Sequence, residues 1–266
     1  MSATHARKKP FLRLATAAVA MVAALGMAAC SGGASTSSSS SSSAQVGDRS
    51  PEQIKEAGEI VIGIFSDKAP FGYIDADGKP AGYDVVYGDR IAADLGVTAK
   101  YVPVDAAART EVLASNKVDI TLANFTVTPE RAEKVDFANP YFKVSLGVVS
   151  PTSAEITDVS QLAGKTLIVT KGTTAESYFE ANHPEVKLLK FDQYSDAYQA
   201  LEDGRGDAFS TDNTEVWPGP RPQGLKVGIT KLGDEDTIAP AVQKGNKELL
   251  NWINDEIVKL GKENFF

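Results

Sequence analysis

Residues 124–141, NFTVTPERAEKVDFANPY, place a polar strand end, a helix start and an arginine in one short segment. Thr128, Pro129 and Arg131 have the types of an N-cap, a first helical residue and a third helical residue. Unpaired N–H groups at a helix start attract an anion. A guanidinium on the first turn can grip a carboxylate through two parallel hydrogen bonds. That combination suits the α-carboxylate of an amino acid. The plainer alternative is a surface capping motif with a solvated arginine.

The elements that must position this segment alternate between strand and helix. Ser50, Pro51 and Gln53 form a capping box for a short helix that stops at Gly58. Residues 59–65, EIVIGIF, are a buried strand by their β-branched content. A turn-rich stretch follows, with Asp77-Gly78 as a hairpin turn. Residues 82–96 form a helix closed by Gly96, 99–104 a strand, 106–116 a helix, and 118–125 a strand that runs into the arginine motif. The pattern then restarts. Residues 145–151 are extended, 158–164 a short helix capped by Asp158, and 165–170 a strand. Thr173 and Thr174 open a helix, 186–191 is a strand, 195–203 a helix stopped by Gly204, and 206–213 a strand with a polar end at Asp212. Asn246 caps a last helix that carries Leu249, Leu250, Ile253, Ile257 and Leu260 on one face. Such alternation predicts mainly parallel sheets. It divides into two α/β lobes: residues 50–145 with 239–266, and residues 146–238. Two chain crossings between them make a hinge.

The N-terminus reads as an export signal. Arg7, Lys8, Lys9 and Arg13 precede a short apolar run, too short for a permanent membrane span. That run ends in LGMAAC, which resembles a bacterial lipobox with Cys30 as the lipidated first residue of the mature chain. Met27 stands where the motif usually has an aliphatic residue such as Leu. The alternative is an ordinary signal peptide followed by a stray cysteine. Cys30 is the only cysteine, which excludes an intramolecular disulfide. Residues 1–29 are thus assigned as leader and 30–49 as a Ser-rich tether with no apolar periodicity. A lipid on Cys30 would hold the protein at the outer face of the cytoplasmic membrane. The formal net charge is −8, and removing the four leader cations leaves −12. This argues against nucleic acid or an anionic bilayer as partner. His5 falls in the leader and His183 stands alone, so the histidines suggest no metal site, and no cofactor motif is evident.

Residues 62–84 (IGIFSDKAPFGYIDADGKPAGYD), 115–149 (SNKVDITLANFTVTPERAEKVDFANPYFKVSLGVV), 164–179 (GKTLIVTKGTTAESYF) and 204–213 (GRGDAFSTDN) together resemble the extracellular solute-binding proteins, family 3. These are the amino-acid receptors of ABC importers. Residues 172–179 (GTTAESYF), 212–217 (DNTEVW) and 238–250 (IAPAVQKGNKELL) narrow the resemblance to the cysteine-binding receptors, with glutamate, aspartate and glutamine receptors more distant. The resemblance implies an α/β, periplasmic-binding-protein-like type II fold. It implies a monomer that binds a free amino acid and delivers it to an ABC permease. Arg131 is then the carboxylate clamp, with Thr126 and the backbone near Asn124. Thr173 and Thr174 reach the same carboxylate from the other lobe. Asp212 accepts from the α-ammonium, although its type and place also suit an Asx-turn. Lys68, Phe71, Arg109, Tyr141 and Thr170 surround the ligand side chain. A lysine at 68 with Arg109 favours a polar or acidic ligand over a cationic one. Alternatively, Lys68 and Arg109 point to solvent and Phe71 and Tyr141 belong to the core.

There are departures. Val86 replaces a usual acid, and Ala108-Arg109 stands where relatives have Asn-Arg. The chain stops at Asn264-Phe265-Phe266 where relatives carry a further tail, which suggests a shortened frame. A catalytic relative, a dehydratase or cell-wall lyase, would need an acid–base pair in the cleft, and the implied residues supply none. Arg205-Gly206-Asp207 spells a cell-attachment tripeptide but lies at a helix-to-strand turn. Asn124-Phe125-Thr126 is formally a glycosylation sequon.

Overall fold

The computed structural model describes residues 45–216 and 224–266. The leader, Cys30 and most of the tether lie outside the described residues. In chain order the elements are α1 (Pro51–Ala57), β1 (Glu59–Ile64), β2 (Asp67–Lys68), β3 (Gly72–Ile74), β4 (Pro80–Ala81), α2 (Tyr83–Leu95), β5 (Thr98–Pro103), α3 (Arg109–Ala114), β6 (Ile120–Thr121), α4 (Pro129–Lys134) and β7 (Val135–Phe137). They continue with β8 (Phe142–Pro151), β9 (Thr166–Thr170), α5 (Thr174–Asn182), β10 (Lys187–Phe191), α6 (Tyr194–Glu202), β11 (Ala208–Asp212), α7 (Asn213–Val216), β12 (Leu225–Ile238), β13 (Ala241–Gln243) and α8 (Lys247–Lys262).

One sheet has the order β5-β1-β6-β13-β7 and a second β10-β9-β11-β8-β12, with a small β2-β3-β4 sheet beside the first. In the first sheet β1 pairs in parallel with β5 and β6, and β13 runs antiparallel to β6 and β7. In the second, β9 pairs in parallel with β10 and β11, while β8 runs antiparallel to both β11 and β12. Both sheets are therefore mixed, not mainly parallel. The long β12 has no counterpart in the sequence reading. Its register on β8 shifts at three places, which breaks the alternation that would have marked it.

Local chemistry accounts for the helices. Ser50 and Gln53 close the capping box of α1, and Gly58 ends it in the left-handed region. In α2, Tyr87, Ile91 and Leu95 recur every four residues and are buried. Gly88 brings that helix close to β5, because a Cβ there would lie 2.8 Å from the Tyr101 hydroxyl. In α8, Leu249, Ile253, Ile257 and Leu260 are buried. Burying each contributes about 1.5–3 kcal/mol. Asn246 caps α8 with its side chain and also holds the carbonyls of Gly47 and Arg49 through Nδ2. Arg49 is buried and pairs with Asp119, whose carboxylate also accepts from the backbone of Gly47 and Val61. Gly47 and Arg49, assigned to the tether, thus belong to the packed fold. A buried carboxylate needs those partners, and they were not visible from local composition.

Two segments differ from the expected elements for reasons that bear on the site. Residues 106–116 split into a 3-10 turn at Ala106–Ala108 and α3. The strand expected over 118–125 pairs only at Ile120–Thr121. It stops because Ala123 (φ 39°) and Asn124 (φ 41°) enter the left-handed region, which is disfavoured for side chains other than Gly.

Candidate functional site

α4 begins as its sequence requires: Thr128 is the N-cap, its hydroxyl accepts from the Arg131 N–H, and Pro129 is the first residue. Arg131 is thereby aimed inward. Its Nη1 donates to the Thr126 carbonyl at 2.7 Å and its Nη2 to the Gly172 carbonyl at 2.8 Å. Burial lowers its pKa from the ordinary arginine value. It borders a cleft of about 910 Å³ whose walls also include Thr128, Thr174, Glu176 and Asp236. A smaller cavity, about 10 Å³, shares Arg109 and Thr174 with that cleft and is lined by Lys68, Asn124, Thr126, Thr173, Tyr194 and Asp212.

Asp212, at the end of β11, is buried among polar partners. Its Oδ2 accepts from Lys68 Nζ at 2.9 Å and from Asn124 Nδ2 at 2.5 Å. Lys68 Nζ also donates to the Tyr194 hydroxyl at 2.9 Å and sits 4.4 Å from the centre of the Tyr194 ring. A cation in this setting gains from the carboxylate and the ring faces while losing water. Lys68 and Arg109 are 2% and 3% exposed, which excludes the solvent-pointing alternative. Arg109 donates to the carbonyls of Ala106, Ala123, Asn124 and Gly172, so it holds four backbone oxygens in place. Burial, aided by Arg131, lowers its pKa to about 9.

On the facing side, Thr173 is the N-cap of α5. Its hydroxyl accepts from the Glu176 N–H and donates to the Thr170 carbonyl at 2.6 Å. The first N–H groups of a helix have no intrahelical acceptor, and those of Thr174 and Ala175 begin α5 beside the cavity. Gly172 brings this helix start against the 3-10 turn at Ala106–Ala108: a Cβ there would lie 2.4 Å from Ala107 Cα.

Three of the expected side-chain neighbours line neither the cleft nor the small cavity. Phe71 packs edge-on to Tyr83 and Phe142 and borders a separate apolar pocket of about 610 Å³. Tyr141 stacks on Tyr83 and Phe266 and donates to Asp84 Oδ1 at 3.1 Å. Both are apolar enough to be taken into the core behind the cavity. Thr170 is buried at the end of β9, with its hydroxyl unpartnered, and lines neither the cleft nor the cavity.

Three residues not singled out from sequence complete the arrangement. Asp84 is fully buried, and its Oδ2 accepts from the Asn124 N–H at 2.9 Å. That bond holds Asn124 in its left-handed conformation and so aims its amide at Asp212. Burial raises the Asp84 carboxyl to about 7. Tyr194 and Gly172 are the others. The only signal for Asp84 was an acid in the first turn of a helix, which ordinary capping explains equally well.

The family model described as bacterial extracellular solute-binding proteins, family 3, matches residues 60–264. The structure of a solute receptor for L-cysteine of Neisseria gonorrhoeae is similar with a TM-score of 0.79 and 52% identity, covering 81% of this chain and 89% of that one. A cysteine-binding protein of Campylobacter jejuni is similar with a TM-score of 0.78 and 51% identity, covering 81% and 88%. The glutamine-binding protein of an ABC transporter in Bacillus subtilis (strain 168) is 29% identical over 213 residues, 78% of each chain. With the match spanning nearly all the described fold, this chain belongs to the bacterial extracellular solute-binding proteins, family 3.

Proposed function

We propose that this protein is the amino-acid receptor of an ABC importer, with L-cysteine as first ligand and glutamate, aspartate and glutamine after it. The observation that carries the reading is the pairing of Arg131 at the cleft wall with Asp212 in the adjoining cavity. Opposite charges on neighbouring walls match the carboxylate and ammonium of a free amino acid. Thr126, Asn124, Thr173 and Thr174 supply the remaining polar contacts. Cysteine as first ligand is supported by the 52% identity to the solute receptor for L-cysteine.

In this reading residues 50–145 with 239–266 form one lobe and 146–238 the other. The chain crosses between β7 and β8 and again between β12 and β13, and these crossings bend as the lobes close. Closure brings the start of α5 and Asp212 toward Arg131 and excludes water. A binding role is favoured over catalysis because the similar proteins named above are receptors and binding proteins. Cys30 carries the lipid anchor, and the Ser-rich tether lets the receptor reach its permease from the outer face of the cytoplasmic membrane.

A thermal-shift screen of the domain from Gln45 against the standard amino acids, with calorimetry on any hit, tests the reading. A ligand that binds only the folded state raises the melting temperature. Arg131→Ala should abolish most of that binding, because it removes the carboxylate's charged partner. An unchanged dissociation constant in that variant would refute the assignment.

A further inference from the structure

We propose that Asp67 caps α6 from the opposite lobe, and that this cap is a clasp at the rim of the cleft. It favours the closed arrangement with and without ligand and so slows ligand release. The inference goes beyond the receptor reading and rests on the lobe division given there.

Local sequence leaves α6 open at its start. In α1, α4, α5 and α8 the N-cap side chain accepts from the first turn. In α6 the N-cap is Gln193, and its side chain makes no such bond. Glutamine is not among the residues that cap well. The first N–H groups of the helix still need acceptors. One acceptor comes from β2: Asp67 Oδ2 accepts from the Ser195 N–H at 3.1 Å and from the Ser195 hydroxyl at 3.3 Å. Ser195 is the second residue of α6, so its N–H is one that a local cap would take. A carboxylate in that place also gains from the positive end of the helix.

The two residues before Ser195 face the same way. Gln193 Nε2 donates to Asp105 Oδ1 at 2.5 Å. The Tyr194 ring meets Phe65 edge-on with centres 5.4 Å apart, and its hydroxyl accepts from Lys68 Nζ. The whole start of α6 is thus held by residues 65–68 and 105, which belong to the other lobe. Asp67 is also fixed in advance. Its backbone pairs with Tyr73 and that of Lys68 with Gly72. Gly72 in turn packs so closely that a Cβ there would lie 2.4 Å from the Phe65 carbonyl oxygen. A carboxylate on such a braced hairpin loses little freedom when it caps. Asp67 and Asp105 line neither the cleft nor the small cavity. They act on the helix and not on the ligand, which makes them positioning residues. Asp67 is half-buried and Ser195 exposed, so the clasp has the strength of an ordinary cap and can open.

The test compares wild type, Asp67→Ala and Asp67→Asn by the release rate of L-cysteine and by amide hydrogen exchange of the ligand-free protein. Loss of one cap corresponds to about 3- to 30-fold in an equilibrium, so Asp67→Ala should release L-cysteine faster by about that factor. Asparagine caps about as well as aspartate, so Asp67→Asn should stay within about twofold of wild type. Asp105→Ala should speed release in the same direction. Without ligand, the Ser195 N–H should exchange faster in Asp67→Ala than in wild type. Amides of β1 and β9 should keep their protection, which shows that the variant is folded. Unchanged release from Asp67→Ala, or release from Asp67→Asn as fast as from Asp67→Ala, would overturn the clasp and leave the receptor reading intact. If wild type binds no L-cysteine, that ligand fails and the exchange comparison decides alone. Faster exchange confined to the start of α6 in Asp67→Ala would then uphold the clasp, and equal exchange would overturn it.

Discussion

Gly172→Ala is the sharpest perturbation of the proposed closure. Gly172 has φ 72°, and its carbonyl accepts from Arg109 Nη2 at 3.0 Å and from Arg131 Nη2 at 2.8 Å. A Cβ there would lie 2.4 Å from Ala107 Cα and 2.7 Å from Ala107 N, both backbone atoms that cannot rotate away. Non-bonded carbons settle at about 3.5–4.0 Å, so the loop before α5 must retreat by roughly 1 Å or more. Both guanidinium–carbonyl bonds then stretch past the useful range. Hydrogen bonds to charged groups contribute about 1.5–3 kcal/mol each. Arg109 keeps three other carbonyls and Arg131 keeps one, so the loss falls near the lower end, about 3–4 kcal/mol in the closed arrangement. At about 1.4 kcal/mol per tenfold, the ligand dissociation constant should rise by about 100- to 1,000-fold. The left-handed backbone costs an alanine about 1 kcal/mol in open and closed forms alike. It should lower the melting temperature of the ligand-free protein by about 2–4 °C. Calorimetry with cysteine measures the first quantity and a thermal melt the second. A variant that binds within threefold of the wild type while showing the small melting loss would refute the argument that this close approach is needed for binding.

Asp84 makes stability depend on pH in a direction opposite to that of an ion-paired acid. Its carboxyl is raised from 3.8 to about 7, so the folded state keeps a proton that the unfolded chain has released. The resulting stability is full below about pH 4 and is lost as pH rises toward 7, by an amount on the order of 4 kcal/mol. Asp84→Asn should flatten the melting profile over that window; Glu256, raised to about 7 beside Asp94, should leave a smaller slope behind. An unchanged profile in Asp84→Asn would exclude the proposed protonation. Asp119→Ala strips buried Arg49 of its counter-ion and leaves the Gly47 and Val61 N–H groups without their acceptor. Urea unfolding should show a loss of about 3–5 kcal/mol. Asp207→Ala should not alter adhesion of cells to a coated surface. The Asp207 carboxylate accepts from the Thr166 N–H at 2.7 Å and Arg205 lies over the Phe191 ring, so the tripeptide serves the turn.

How far the sequence was legible depended on the range of the interaction. The capping boxes of α1 and of the turn at Val159–Leu162, the caps of α4, α5 and α8, and the stop of α2 at Gly96 rest on neighbours within a few residues. Their residue types state them directly. The inward aim of Arg131 follows from one such cap. By contrast, the partner of Lys68 is Asp212, 144 positions away, and no local pattern distinguishes a buried lysine in a turn-rich segment from a solvated one. The same holds for Gly172, whose reason for being glycine is the backbone of Ala107, and for Tyr194, whose hydroxyl meets Lys68.

The shortened strand before Asn124 shows why this distinction matters for function. Isolated, residues 118–125 favour continued extension. Arg109 and Asp84, each distant in sequence, hold the carbonyls of Ala123 and Asn124 and the N–H of Asn124. Together they offset the cost of two left-handed residues without glycine. The outcome is that Asn124 turns its amide onto Asp212. Local propensity therefore fails at the place where two long-range polar contacts shape the proposed ligand site, and that failure is itself a marker of where binding is organised.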